Sequence, residues 1–383
     1  MSSIRLKHAS GNAVTIAAPS SNPSSNKTIN LPDEAGIFAT KDSANSLQNV
    51  TGVNGSALSN RRMNINGACL VSQRGNKTGL TVSGAPHYVV DRFRHYFTEG
   101  TFSISQENDA PAGSGFTKSL KIQCTTADTS QDAGAVHNLT YPFEGQDLQR
   151  LAKGSSGAKQ LAVQFWCKAY QTGAFNITLF DEDNNRFTNQ TFTISASNTW
   201  EKKELIFPAD TTGTIIADNS VSLNLDIKLA VGTNYTSGSL QTAWGASTTA
   251  NSGVGQTVNI ADNTNNNFYI TGLQIEVGNV HTEYEHKLIT EELALCQRYF
   301  ETGNGLLLAA YSGGAFGGGI TLNEFAVTKR ATPTITVTQG SGLGSQTASN
   351  VNTNTTYNVG VHWSGSATAG DYRAFTFTAS AEL

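Results

Sequence analysis

At 383 residues the chain has the length of two or three domains, each able to bury its own core. A charged fraction of 14%, a net charge of −4 and a pI near 6.0 supply no clustered cationic field, which argues against nucleic acid and anionic lipid as partners. No run of about eighteen apolar residues offers a membrane helix, and the start, Met1-Ser2-Ser3-Ile4, lacks the apolar core of a secretory signal, so the expected product is made in the cytoplasm without membrane insertion.

The 37 glycines and the abundance of Ser, Thr and Asn suit short strands joined by turns, an all-β composition. Cys69, Cys124, Cys167 and Cys296 stand far apart with no CxxC pair, so free, buried thiols are expected rather than a zinc or redox site.

Residues 1–60 carry few large apolar side chains. Ile4 and Leu6, then Val14 and Ile16, alternate on either side of Ser10-Gly11-Asn12 and predict one small hairpin. A Pro-punctuated, Ser/Asn-rich stretch follows and ends around Ile29 and Leu31. So little apolar area cannot offset the segment's own ordering entropy, so it is expected to be ordered by copies of itself or by a docking partner.

Residues 61–284 change to period-2 segments. Leu161, Val163, Phe165 and Cys167 alternate with Ala162, Gln164 and Trp166. Val221, Leu223, Leu225, Ile227 and Leu229 alternate with Ser222, Asn224, Asp226 and Lys228, predicting one dry face and one wet. Turn clusters at 181–185 and 262–266 separate such runs, and together they predict an antiparallel sandwich of jelly-roll type.

Residues 285–300 predict a linking helix capped by Thr290, with Glu291 and Glu292 at its positive end, Leu293, Cys296 and Phe300 on one face, and Gly303 after its stop. Residues 301–383 form a smaller strand-rich unit through Ile335 and Val337, Tyr357, Val359, Val361 and Trp363, then Phe375 and Phe377. The glycine-rich run 313–319 would permit close backbone approach at a shared interface.

Three stretches resemble tail-fibre and related virion proteins of tailed bacteriophages, of the marine and cyanobacterial phage type. They are Ile4 to Asn12 continuing through 18–23 and 28–32; Arg61 to Gly75 with Tyr88 to Phe93; and Tyr284-Glu285-His286 with Glu292 to Phe300. The resemblance implies a virion-attached fibre protein with a carbohydrate-binding-module-like central sandwich, an N-terminal attachment segment carrying Ile4, Leu6, Val14, Ile16, Ile29 and Leu31, and a homotrimeric assembly. Where the family has a more aliphatic run, this chain has Met63-Asn64-Ile65-Asn66. Residues 301–383 match only loosely, so their assignment to a distal, host-facing tip is an expectation.

Chemistry is sparse. Asp181, Glu182 and Asp183 are neighbours in a turn, where side chains point apart and stay solvated, so they are a poor glycosidase pair. His281, Glu283, Glu285 and His286 match no zinc or iron spacing and read as a solvated strand exit. No cofactor is expected; if a metal is held, calcium on Asp109, Asp128 or Asp262 is the better candidate. Sugar binding needs aromatic faces bordered by amides and carboxylates. Trp244 and Tyr235, in polar surroundings, and Trp363 and Tyr372 in the C-terminal unit are the candidate ligand platforms, with burial against a neighbouring subunit as the alternative. Trp166 and Trp200 are expected in the core.

The expectation is therefore a non-enzymatic virion structural protein. It would be a tail-fibre subunit that binds a host surface glycan or protein and docks on phage tail or adaptor proteins. A capsid fibre or other tail component is the first alternative and a polysaccharide depolymerase the second.

Overall fold

The computed structural model describes residues 3–7, 13–17, 40–41, 47–48, 60–82, 84–308, 319–343, 347–364 and 371–383. It divides into two units, 1–51 and 52–383. In the first, β1 (Ser3–Lys7) and β2 (Ala13–Ala17) pair antiparallel with Ile4 opposite Ile16 and Leu6 opposite Val14, the register expected of the alternating pattern. A second short pair, β3 (Thr40–Lys41) and β4 (Leu47–Gln48), follows. Ile29 and Leu31 lie outside the described residues.

Period-2 alternation builds the first part of the second unit, up to residue 277, as two facing antiparallel sheets. Its strands are β5 (Lys77–Leu80), β6 (His87–Tyr88), β7 (Arg94–Phe97), β8 (Thr101–Glu107), β9 (Ser119–Thr126), β10 (Val136–Glu144), β11 (Leu161–Ala169), β12 (Gly173–Asp181), β13 (Arg186–Ile194), β14 (Glu201–Phe207), β15 (Val221–Val231), β16 (Gly245–Ala246) and β17 (Asn267–Val277). One sheet has the order β16-β13-β12-β15-β10-β7-β6 and the other β14-β11-β17-β9-β8-β5. Val163, Phe165 and Cys167 from one sheet and Leu223, Leu225, Ile227 and Leu229 from the other enter a single core. The four thiols are free and buried. No helix among the described residues is long and apolar enough to cross a membrane.

The face of β15 expected to be wet is largely covered: Asn224 and Lys228 are 3% and 7% exposed. An excursion between 232 and 256 folds back over this sheet, held where Asn189 Nδ2 donates to Asn251 O (2.9 Å) and Asn176 Nδ2 to Val254 O (2.9 Å).

The two sequence motifs that bracket the sandwich meet in space. Arg62, buried, pairs with buried Glu292 and donates through Nη1 to Tyr284 Oη (2.8 Å), while Glu292 Oε2 accepts from Asn66 N (2.7 Å) and Glu285 Oε2 from Arg62 N (2.8 Å). The Arg74 and Arg92 guanidinium carbons sit 3.5 Å from the ring centroids of Phe300 and Tyr299. Asn64 and Asn66 act as backbone mimics: Asn64 bonds Leu273 O and Ile275 N, and Asn66 bonds Val71 N and O. Helix α1 (Ile289–Gln297) begins two residues earlier than a Thr290 cap requires. Its N-cap is Leu288, with no side-chain cap bond, and Thr290 lies inside the helix. The buried Glu292 anchors this first turn, and burial falls on Glu292 and Cys296, four residues apart.

Beyond α1, β18 (Phe300–Leu308), β19 (Gly319–Glu324), β20 (Thr334–Gly342), β21 (Thr347–Asn354), β22 (Asn358–Ser364) and β23 (Tyr372–Ser380) form two three-stranded sheets, β18-β23-β20 and β19-β22-β21. Their core is Phe325, Val359, Val361, Phe375, Phe377 and Ala379, with Ile335 and Val337 against it. Gly303 is not a helix stop; it pairs with Phe377 within β18. Of the glycine-rich run, residues 313–318 lie outside the described residues and Gly319 opens β19.

Candidate glycan site

The outward side chains of five adjacent strands, β7, β10, β15, β12 and β13, line up in rows because antiparallel pairing sets them opposite one another. One row is Tyr96, Asn138 and Lys228; the next is Arg94, Thr140, Asp226 and Thr178; the third is Asn224, Phe180 and Phe187. Tyr235, Ser247, Thr249 and Ser252 from the covering excursion supply a wall, and the trough encloses about 440 Å³.

Its floor is polar and only partly satisfied. Thr140 Oγ1 donates to Asp226 Oδ1, and Lys228 Nζ lies 3.6 Å from Asp226 Oδ2. Asn224 Nδ2 donates to Glu182 Oε1 (2.6 Å). The amide oxygens of Asn138 and Asn224 are buried with no hydrogen-bond partner among the described residues. A buried acceptor left open costs roughly 1–3 kcal/mol, so a ligand hydroxyl donating there would be stabilising. Partly exposed rings of Tyr96, Phe180 and Tyr235 border these acceptors. Glu182 stands on the rim, yet its carboxyl is pushed above the usual range, first by desolvation against the trough and then by the Asp226 charge. The arrangement offers flat apolar faces beside acceptors and donors, the requirements for a hydroxylated ring.

Of the four platforms expected from sequence, Tyr235 lines this trough. Trp244 is half-buried against the core; its Nε1 donates to Pro208 O (2.8 Å) and Lys153 Nζ sits 4.9 Å from its ring. Tyr372, 37% exposed, opens β23, and Trp363 lies on β22, where its side chain is outside the described residues. The four do not converge, since Trp363 and Tyr372 belong to separate sheets of the C-terminal unit.

The acidic turn separates as expected but is not uniformly solvated. Asp181 is fully buried with Lys153, Asp183 accepts from Ile216 N (2.9 Å), and only Glu182 turns to the trough. Residues 281–286 are irregular rather than strand: His281 meets Leu205 O (3.0 Å), Glu285 takes the backbone at 60 and 62, and Glu283 and His286 line a different cavity. Asp109 serves Lys168 and Trp200, Asp128 serves Ser130 N, and Asp262 serves Asn266, so these three do not form one oxygen cage. No cluster of three metal-ligating side chains occurs among the described residues. Trp166 and Trp200 are half-buried on the outer face rather than in the core.

Sequence reasoning passed over Tyr96, Asn138 and Thr140, and read Glu182 as a solvated turn residue and Asn224 as part of a wet strand face. The one signal was the polar alternation of β15, readable as a solvated face but not as a site floor.

No family model matches the chain, and no curated protein does. Among solved structures, the enzymatically active domain of tailspike protein 4 from bacteriophage CBA120 aligns at 11% identity and TM-score 0.29, covering 56% of this chain and 21% of that one. A family 11 carbohydrate-binding module from Clostridium thermocellum, in complex with a β-1,3-1,4-mixed-linked tetrasaccharide, aligns at 11% identity and TM-score 0.26, covering 54% and 99%. A family 4 carbohydrate-binding module aligns at 11% identity and TM-score 0.27, covering 55% and 97%. The chain thus spans about a fifth of the tailspike domain's length, and nearly all of each module.

Proposed function

We propose that the chain is a non-catalytic, glycan-binding adhesion subunit of a phage virion, carried in the tail fibre, with the trough over the seven-stranded sheet as its sugar site. One observation carries the reading: two buried amide oxygens, Asn138 Oδ1 and Asn224 Oδ1, stand open beside the rings of Tyr96, Phe180 and Tyr235. The virion role rests on the sequence motifs at 4–32, 61–93 and 284–300. Self-association, as a homotrimer, has support in the apolar side chains that the C-terminal unit leaves exposed, Leu306, Leu322, Leu343 and Tyr357. Several such sites tethered together would turn weak sugar contacts into firm attachment.

One observation favours a hydrolytic alternative: Glu182, with its raised pKa, shares the trough with Asp226. Against it, Asp226 is engaged by Thr140 and Lys228, and Glu182 by Asn224.

The test is calorimetric titration of the full chain with host surface polysaccharide and with its Tyr96→Ala variant, together with a reducing-end assay. Binding that weakens at least tenfold in the variant, without new reducing ends, supports the proposal. Turnover abolished by Glu182→Gln would replace it with the depolymerase reading. Labelling of intact particles on the head instead of the tail would move the role to a capsid fibre.

A further inference from the structure

The opposite, six-stranded sheet carries a second cavity, of about 380 Å³, that the trough reading does not use. It exists because of a register break. Opposite β11, the pairing of β17 jumps from Gln274 facing Gln164 to Thr271 facing Trp166, and Gly272 falls at the irregularity with φ +64°. A β-bulge with glycine in the left-handed region bends the strand locally and re-aims its neighbours. The Phe116 ring seats on this glycine so closely that a Cβ there would lie 2.6 Å from Phe116 Cζ. Phe116 in turn stacks edge-on with Tyr284 (4.8 Å) and lies 5.3 Å from His286. Three separate parts of the chain, the bulged sheet and the segments around 114–116 and 283–286, therefore enclose one space.

Two groups in that space are left open. Gln164 is 2% exposed; its Nε2 donates to Thr282 O (2.5 Å), and its Oε1 has no partner among the described residues. Because the amide nitrogen is already engaged, the free end is an acceptor, and Gln164 is one of the residues lining the cavity. Trp200 and Trp244 use their indole N–H groups on Asp109 and Pro208, whereas half-buried Trp166 makes no such bond among the described residues. The rim carries one acid, Glu283, one cation, Lys202, and a neutral donor-acceptor, His286, whose imidazole is kept below its usual pKa by burial and then by the Arg62 charge.

We propose that this cavity is a second binding site, for a single neutral sugar residue. Its apolar face would lie against the Trp166 indole and a hydroxyl would donate to Gln164 Oε1. An indole plane beside a buried free acceptor suits a ring that is apolar on its face and hydroxylated at its edge. A purely apolar ligand would leave Gln164 Oε1 unsatisfied, and an anion would meet that same acceptor and Glu283. The site stands on its own geometry, independent of the trough, and would give one sandwich two sugar contacts on opposite faces.

The two sites can be told apart because no tryptophan among the described residues lines the trough. Tryptophan emission of the full chain is followed during titration with glucose, galactose, mannose, xylose, fucose and N-acetylglucosamine at millimolar concentration. A saturable change with at least one of them is expected. It should persist in Tyr96→Ala, vanish in Trp166→Phe, and weaken at least tenfold in Gln164→Met, which keeps the reporter; near-ultraviolet circular dichroism confirms that each variant is folded. A response absent for all six sugars, or one lost in Tyr96→Ala and retained in Gln164→Met, overturns the second site. The trough is judged separately by its calorimetric titration.

Discussion

Glu382, the penultimate residue, pairs through Oε2 with Nη1 of Arg92 at 2.7 Å, and so fastens the end of the C-terminal unit to the sandwich. Arg92 is 1% exposed, donates also to Pro142 O (2.8 Å), and lies over Tyr299. The other Glu382 oxygen takes Arg74 Nη2 at 2.8 Å. Removing the carboxylate would strand a buried guanidinium, which typically costs about 3–5 kcal/mol. Glu382→Gln is expected to shift the urea midpoint down accordingly, and an unchanged midpoint would show that the clamp contributes nothing.

Gly303 is required by its cross-strand partner. An added Cβ would lie 2.3 Å from Phe377 Cζ, and Phe377 is 3% exposed within the small core. Gly303→Ala should destabilise the C-terminal unit by roughly 1–3 kcal/mol, as overpacked cores do. A Gly303→Ala, Phe377→Leu double variant should recover part of the loss if the clash is its cause, which thermal unfolding of the three proteins would decide.

The strands were legible because each buries one face. Leu223 to Leu229 and Val163 to Cys167 repeat every second residue, and that repeat is the signature of a sheet against a core. Chain-distant polar pairing was not legible. Nothing at Arg62 announces Glu292, 230 residues later, and the alternation that exposes a polar face of β15 cannot tell that an excursion will roof it. The same limit hid the trough, whose floor draws one to three residues from each of five strands. Trp166 was misjudged as core although the alternation sets it on the face opposite Phe165 and Cys167; its apolar character outweighed its register.

Electrostatic coupling inside the trough can be measured directly. Glu182 has a raised carboxyl pKa, for which the Asp226 charge is the second cause after desolvation, while Arg94 and the Asn224 bond oppose it. Asp226→Asn keeps the Thr140 contact and removes the charge, so the Glu182 pKa should fall toward the usual glutamate value near 4.3. Carbon-detected titration of the Glu182 carboxyl in both proteins is the measurement. No difference between them would place Asp226 too far away to matter.

Two histidines inside the sandwich make its stability depend on acid. His95 and His137 are 1% and 0% exposed, flank Phe102 at 5.6 and 5.2 Å, and have no partner on either ring nitrogen among the described residues. Burial holds His137 down to about 4 against the small opposing pull of Asp128, and holds His95 well below its usual value, reinforced by the neighbouring imidazoles of His137 and His87. An unfolded histidine takes its proton near 6.5, so between that pH and 4 the unfolded chain binds more protons than the folded one. Stability from these groups is therefore complete above about pH 6.5 and declines as the pH falls toward 4, by roughly 3 kcal/mol for His137 alone. His137→Phe, set among Phe97 and Phe102, should flatten that slope and be more stable than the parent in mild acid. Urea unfolding at a series of pH values tests this, and parallel curves for parent and variant would show that His137 does not set the acid limit.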